Sequence, residues 1–182
     1  FYIGGHAGTS MANTALGYDG ATLDGLGGDS KTPLFGVRGG VDFQVPNSIV
    51  FVGAFATYTI QDVEFSISEG GDSFKASLKN SWSAGGRAGV TMGNAKPYVL
   101  AAYRQTEMEW TDVGLGAGPT LKGYDLGAGI SYAIDKNLEI GIEGIWTKYK
   151  QASVAMDEYC PPSLFDTTQL SVVARLTMKL GG

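Results

Sequence analysis

The sequence predicts an all-β fold, an eight-stranded antiparallel up-and-down transmembrane β-barrel with short periplasmic turns and long extracellular loops. Three observations predict it. Apolar residues come in short runs that alternate with polar ones, as in strands with two different faces. No run approaches the roughly 18 consecutive apolar residues that a membrane helix needs. The connections alternate strictly between long polar segments and turns of about three or four residues, an asymmetry typical of outer-membrane barrels. The 182 residues suit one domain over residues 1–182.

The first strand covers Phe1 to Met11, with Phe1, Ile3, Gly5 and Ala7 on one face and Tyr2, Gly4, His6, Gly8 and Ser10 on the other. In the second, Leu34 to Val45, the residues Phe35, Val37, Gly39, Val41, Phe43 and Val45 oppose Arg38, Gly40, Asp42 and Gln44. After Pro46-Asn47-Ser48 the third runs from Ile49 to about Phe65, where Val50, Val52, Ala54, Ala56, Tyr58 and Ile60 alternate with Phe51, Gly53, Phe55, Thr57, Thr59 and Gln61. The fourth, about Phe74 to Met92, sets Trp82, Ala84, Gly86, Ala88 and Val90 against Lys79, Ser81, Ser83, Gly85, Arg87 and Gly89. Gly93-Asn94-Ala95-Lys96 turns it into the fifth, Pro97 to about Trp110. There Val99, Ala101 and Tyr103 oppose Leu100, Ala102, Arg104 and Thr106, with a bulge expected near Tyr103. The sixth, Leu121 to Ile134, sets Tyr124, Leu126, Ala128, Ile130 and Tyr132 against Asp125, Gly127, Gly129 and Ser131. Asp135-Lys136-Asn137 leads to the seventh, Leu138 to Tyr149, where Ile140, Ile142, Gly144 and Trp146 oppose Glu139, Gly141, Glu143 and Thr147. The eighth, about Thr168 to Leu180, sets Leu170, Val172, Ala174, Leu176 and Met178 against Gln169, Ser171, Arg175, Thr177 and Lys179.

Alternation alone leaves open which face is inside, because a soluble barrel buries an apolar lining. The fillings decide. One face of nearly every strand holds only aliphatic, small and aromatic residues. The other carries Arg38, Asp42, Arg87, Arg104, Asp125, Glu139, Glu143, Arg175 and Lys179 among Gly, Ser and Thr. An eight-stranded barrel has an interior just wide enough for side chains to fill, and long charges of mixed sign beside small residues suit that space. The polar face is therefore expected inside and the apolar face toward lipid. Phe35 and Phe43, and Tyr124 and Tyr132, lie eight residues apart on outward faces, with Tyr58, Trp82 and Trp146 eight to ten positions from the periplasmic ends. Eight residues at about 3.3 Å rise, tilted about 40°, span roughly 20 Å, close to the roughly 25 Å band between aromatic girdles.

The net charge of −5 argues against a nucleic-acid partner, since a phosphate-binding surface needs clustered Lys and Arg. One cysteine, Cys160, excludes an internal disulfide framework and a cysteine-built metal site. The sequence begins at Phe1 without a methionine or signal peptide, as a mature or trimmed chain would.

FYIGGHAG at the start and GVRGGVDFQVPNSIVFVGAFATY after it resemble the first strands of small OmpA/OmpX-like outer-membrane barrels. WSAGGRAGVTMGNAKPYVLAAY and GYDLGAGISYAIDKNLEIGIEGIW are similar to the central hairpins of the alphaproteobacterial surface-antigen branch of that family. The resemblance spans almost the whole chain and implies the architecture and a place in the bacterial outer membrane; it carries no catalytic signature. It sometimes implies haem capture, for which the single inward His6 gives little. Such barrels usually end on an aromatic residue, whereas this chain ends Met178-Lys179-Leu180-Gly181-Gly182.

The inward charges have two readings, a closed salt-bridge network that plugs the lumen or a lining for a narrow polar path. Burying unpaired charge costs several kcal/mol, so mixed signs favour pairing. Glu143 is the expected acidic hub, with Arg38, Arg87 and Arg104 as partners. His6 is either a hydrogen-bonded lumen residue or, as in lipid-modifying barrels, a catalytic one needing a nucleophile nearby. Asp19, Asp24 and Asp29 in the first loop are either calcium ligands or an ordinary solvated loop without calcium-site spacing. Cys160 is either a free thiol or an intermolecular disulfide. The expectation is therefore a structural, surface-display barrel with no catalytic residue, cofactor or metal. Its partners would be outer-membrane lipids and lipopolysaccharide, a surface macromolecule, or copies of itself packed on Gly- and Ala-rich outer faces. A narrow channel for small polar solutes is the rival.

Overall fold

A computed structural model of the chain describes residues 1–18, 21–23, 32–61, 63–69, 72–110, 120–150, 152–154 and 163–180, with side chains at 1–11, 32–61, 80–107, 120–150 and 168–180. Asp19, Asp24, Asp29, Cys160 and the final Gly181-Gly182 lie outside the described residues. The strands are β1 (Tyr2–Tyr18), β2 (Ala21–Leu23), β3 (Thr32–Gln44), β4 (Val50–Gln61), β5 (Val63–Glu69), β6 (Asp72–Val90), β7 (Ala95–Trp110), β8 (Thr120–Ala133), β9 (Leu138–Tyr149), β10 (Ala152–Val154) and β11 (Ser163–Lys179). Eight of them, β1, β3, β4, β6, β7, β8, β9 and β11, form the wall, each antiparallel to its chain neighbour. The β1–β11 ladder from Tyr2↔Lys179 to Gly17↔Leu164 closes the ring. The short β2, β5 and β10 pair onto β1, β6 and β11 at the loop end.

Closure removes the unpaired strand edges that an open sheet would present. It also fixes two faces, because side chains alternate along each strand. Along β4 every inward residue from Phe55 to Gln61 is buried and every outward one is exposed. Local chemistry sets the short turns. Asn47 takes a left-handed φ of 56°, which asparagine tolerates better than most residues, and Gly93 takes 62°. Asp135 Oδ1 accepts the backbone N–H groups of Asn137 (2.7 Å) and Leu138 (2.9 Å), an Asx turn that reverses the chain.

The interior is polar and the exterior apolar. Arg38, Arg87, Arg104, Asp125, Glu139, Glu143 and Arg175 are all buried, whereas Val99, Leu126, Ile142, Val172 and Leu176 are exposed on the outside. All seven expected interface aromatics face outward, Phe35, Tyr58, Trp82, Tyr124 and Trp146 toward the loop end and Phe43 and Tyr132 toward the turn end. Tyr103 joins the loop-end group, packing on Trp82 at 5.8 Å between ring centroids, and Tyr124 packs on Trp146 at 6.1 Å.

The structure differs from the sequence reading in two places. β1 extends to Tyr18 and β11 starts at Ser163, so the wall stands taller than the apolar pattern. The pairing above Met11 is carried by backbone hydrogen bonds after apolar alternation has faded. The irregularity expected near Tyr103 lies one turn of pleat farther on. Tyr103 pairs regularly with Ala84 and Tyr124, and the register slips between Leu78 and Ser81, opposite Met108 and Thr106. The extra residue is in β6, so no irregularity in β7 could reveal it.

If the outer face meets hydrocarbon, replacing Val172, mid-height on β11, by arginine destabilises the barrel by about 2–4 kcal/mol. Guanidinium unfolding in lipid vesicles measures this; an unchanged midpoint would take that face out of the bilayer.

Candidate functional site

Charged and polar lumen side chains form successive layers along the barrel axis. Glu143 of β9 is the hub of the middle layer and is wholly buried. Its Oε1 accepts from Arg38 Nη1 (2.9 Å) and from the Tyr98 hydroxyl (2.7 Å), while Arg175 Nη2 pairs with Oε2. Arg38 comes from β3, across the lumen, and Arg175 from the adjacent β11, so this one carboxylate ties distant parts of the wall together. Arg38 Nε also donates to Thr57 Oγ1 (2.9 Å), and its guanidinium lies 4.1 Å from the Phe55 ring centroid. Arg175 Nη1 reaches the Tyr98 oxygen at 3.2 Å.

Toward the turn end, Arg87 grips Asp42 with two hydrogen bonds, Nε to Oδ1 at 2.9 Å and Nη2 to Oδ2 at 2.6 Å. This bidentate geometry is the strong form of the pair. The same guanidinium lies over the rings of Tyr2 (4.5 Å) and Tyr98 (5.2 Å). Nearer the mouth, Glu139 holds both Lys96 (2.8 Å) and Lys179 (2.6 Å).

Toward the loop end, Arg104 Nε bonds both oxygens of Asp125 (2.8 and 3.0 Å), its Nη1 donates to Ser81, and Thr147 donates to Asp125 Oδ1 (2.8 Å). Above this lies an uncharged layer. Tyr149 donates to Gln169 Oε1 (2.9 Å) and contacts Thr106 Oγ1 (3.2 Å), and Gln169 Nε2 donates to Gln61 Oε1 (3.1 Å).

Inward glycines make room for these groups. A Cβ on Gly129 would lie 2.7 Å from Glu143 Cγ, and one on Gly40 would lie 2.5 Å from the Tyr2 hydroxyl oxygen. His6 is paired with Thr59 Oγ1 at 3.2 Å. Among the described residues no group of three or more His, Cys, Asp and Glu side chains could hold a metal ion.

The eight expected lumen charges, Arg38, Asp42, Arg87, Arg104, Asp125, Glu139, Glu143 and Arg175, all stand inside, but their pairing corrects the sequence reading of the hub. Arg38 is a partner of Glu143; Arg87 and Arg104 are not, and Arg175 takes their place. Strand register explains it. Asp42 and Arg87 both pair with Gly53 of the intervening β4, which puts them on one rung across a residue with no side chain. Arg104 and Asp125 are diagonal neighbours on β7 and β8. Arg175 and Glu143 are diagonal on β11 and β9. The reading also missed Tyr98 and Lys96. Both continue the inward period of Leu100, Ala102 and Arg104, which already reaches Tyr98 in a strand begun at Pro97 and reaches Lys96 once the strand is begun at Ala95.

A protein family described as outer membrane protein beta-barrel domain matches residues 1–175. Among solved structures, the chain is similar to Neisserial surface protein A, with a TM-score of 0.57, 14% identity, and coverage of 98% of this chain and 96% of that one. It is also similar to the outer membrane protein OprG from Pseudomonas aeruginosa, with a TM-score of 0.56, 11% identity, and coverage of 100% and 96%. At such identities the likeness shows the fold alone. No curated protein sequence matches the chain.

Removing one partner of a buried ionic group leaves the other uncompensated, at a cost of about 3–5 kcal/mol. Glu143→Ala, which strands two buried guanidiniums, is expected to lose that much stability. Glu139→Ala, whose lysines are partly solvated, should lose well under half of it. Parallel unfolding curves in detergent or vesicles compare the two; equal losses would deny Glu143 its central place.

Proposed function

The chain belongs to the outer membrane protein beta-barrel domain family, and from that premise we propose that it is a structural, surface-display barrel whose lumen is closed. It is an eight-stranded barrel of the bacterial outer membrane. Its apolar face and aromatic girdles anchor it there, and its long connections project to the outside. In this reading those connections contact lipopolysaccharide or other macromolecules at the cell surface.

The observation that carries the reading is the Arg38–Glu143–Arg175 contact across the lumen. A conducting path would need a continuous file of water past this point. Instead the carboxylate is fully buried and engaged on both oxygens. The cavity beside it, bounded by His6, Arg38, Thr59, Glu143, Ser171 and Arg175, measures about 10 Å³, room for about one water molecule. The bidentate Arg87–Asp42 pair below and the Tyr149–Gln169–Gln61 chain above add two further closures.

A role without catalysis is part of the same reading. Its support is chemical. A histidine acting as general base needs a nucleophile and an orienting group within hydrogen-bond reach, and His6 meets the hydroxyl of Thr59 while its neighbours in β1 are Gly5 and Ala7.

Recording in planar bilayers tests the closure. The unaltered barrel is expected to give no steady conductance steps, and Glu143→Ala or Arg87→Ala should introduce them. Steady steps from the unaltered protein, growing larger in either variant, would make it a narrow channel for small polar solutes. Incubation with labelled lipid A and mass analysis tests the absence of catalysis; a modified product that disappears with His6→Ala would reverse it.

A further inference from the structure

Among the described outward-facing side chains of the wall strands and their loop-end rim, four are charged, Glu107, Lys122, Lys148 and Lys150. All four stand at the loop end of the neighbouring strands β7, β8 and β9. Three of the four are lysines, and they are close together. Gly123 pairs with Tyr149 and Tyr124 with Lys148, so Lys122 and Lys150 face each other on the next rung, where Lys150 N–H donates to the Lys122 carbonyl at 2.7 Å. Lys148, opposite Tyr124 and two residues before Lys150 in the chain, is the diagonal neighbour of Lys122. Like charges directly opposite one another across a strand pair repel. No salt bridge among the described residues involves Lys122 or Lys150. Glu107, opposite Thr120, is diagonal to Lys122, so three cations and one carboxylate leave this place net positive on a wall whose described strands otherwise exclude outward charge.

The height of the cluster identifies what it meets. Tyr124 and Trp146, packed edge to face, mark the loop-end girdle directly beneath, and such girdles sit at headgroup level. Lys122 is two residues beyond Tyr124, roughly 5 Å higher for a strand of 3.3 Å rise tilted about 40°. Its ammonium therefore emerges sideways from the barrel in the headgroup plane of the outer leaflet. Below the aromatic pair, Leu126, Ala128 and Ile130 on β8 and Ile142 and Gly144 on β9 continue the wall as an uncharged surface, with Ala128 opposite Gly144. A ligand seated here has its anionic part beside the lysines and its apolar part along this strip.

We propose that Lys122, Lys148 and Lys150 form a site on the barrel wall for the phosphorylated headgroup of an outer-leaflet glycolipid, with its acyl chains against β8 and β9. The inference rests on the outward orientation of the loops in the reading above and not on the closed lumen, so a conductance result leaves it untouched. It differs from loop contact with lipopolysaccharide in placing the phosphate contact on the wall.

The test uses the whole chain in phosphatidylcholine nanodiscs, with co-purified lipid counted by native mass spectrometry. Bisphosphorylated lipid A is expected to be retained at least tenfold more than its fully dephosphorylated counterpart. The triple variant Lys122→Gln/Lys148→Gln/Lys150→Gln should abolish that preference, and the corresponding triple arginine variant should keep it. Heat-modifiability on gels confirms that each variant is folded; if the triple glutamine variant is not, Lys150→Gln alone, just beyond β9, should lower retention at least twofold. Equal retention of the two lipids, or unchanged retention in the folded glutamine variants, would overturn the site. Displacement of lipid A by millimolar inorganic phosphate would also overturn it, assigning the lysines to free anions.

Discussion

Everything in this barrel follows from the need to neutralise charge inside a space that only side chains can fill. Eight strands enclose a lumen just wide enough for side chains to fill, and the outer face must be apolar to sit in hydrocarbon. Polar and ionic residues are therefore driven to the axis, where a bare charge is costly and a paired one is tolerable. The result inverts an ordinary globular core. Its bulk comes from guanidiniums, carboxylates and amides, while the aromatic rings of Tyr2, Phe51, Phe55 and Tyr98 fill between them and lie against the arginine planes. Arginine suits this task because its flat group can bond a carboxylate at its edge and meet an aromatic ring with its face.

The layers divide the work by position. The middle of the lumen, farthest from water, holds the most deeply buried carboxylate, Glu143, served by donors from three strands. The turn-end mouth, nearer solvent, uses flexible lysines on Glu139, one of them a third exposed. The loop-end layer of Tyr149, Gln169, Thr106 and Gln61 uses no charge. Hydrogen bonds without ions fill that section with little desolvation penalty, and both kinds of layer lock strands distant in sequence to one another: Gln169 and Gln61 are 108 residues apart in the chain. Arg38 and Glu143 are 105 residues apart in the chain. The hub thus acts, with the Gln169–Gln61 bond above it, as a long-range fastener for a fold whose backbone ladders run only between strands adjacent in the ring.

How much of this was legible from sequence depends on which physical rule governs each feature. Sidedness was legible, because period two survives any error in strand length: Val37 and Arg38, or Ile142 and Glu143, fall on opposite faces wherever the strand begins. The turns at Asn47, Gly93 and Asp135 were legible from local chemistry alone. Pair identities were not. Whether Arg87 meets Glu143 or Asp42 depends on register across β3, β4 and β6, a relation between three segments that no single segment contains. A glycine at position 53 was a usable clue, since an absent side chain on the middle strand opens the line between its neighbours. Strand ends were the least legible. Beyond Met11 the chain reads Ala-Asn-Thr-Ala-Leu-Gly-Tyr, which keeps no apolar face, yet a ladder once started between β1 and β11 continues as long as both backbones stay extended.

The distribution of charge gives the molecule its orientation toward its surroundings. The chain as a whole carries −5, but its described lumen holds six cationic side chains, Arg38, Arg87, Lys96, Arg104, Arg175 and Lys179, against the four carboxylates Asp42, Asp125, Glu139 and Glu143. The acidic surplus must therefore lie elsewhere in the sequence. Asp19, Asp24, Asp29, Asp112, Asp157 and Glu158 all fall in the segments that connect wall strands on the loop side. Lys122, Lys148 and Lys150 have the opposite sign and stand at and just above the girdle. Attraction at the wall thus sets phosphate at the rim of the barrel apart from the acidic surplus that the rest of the sequence carries.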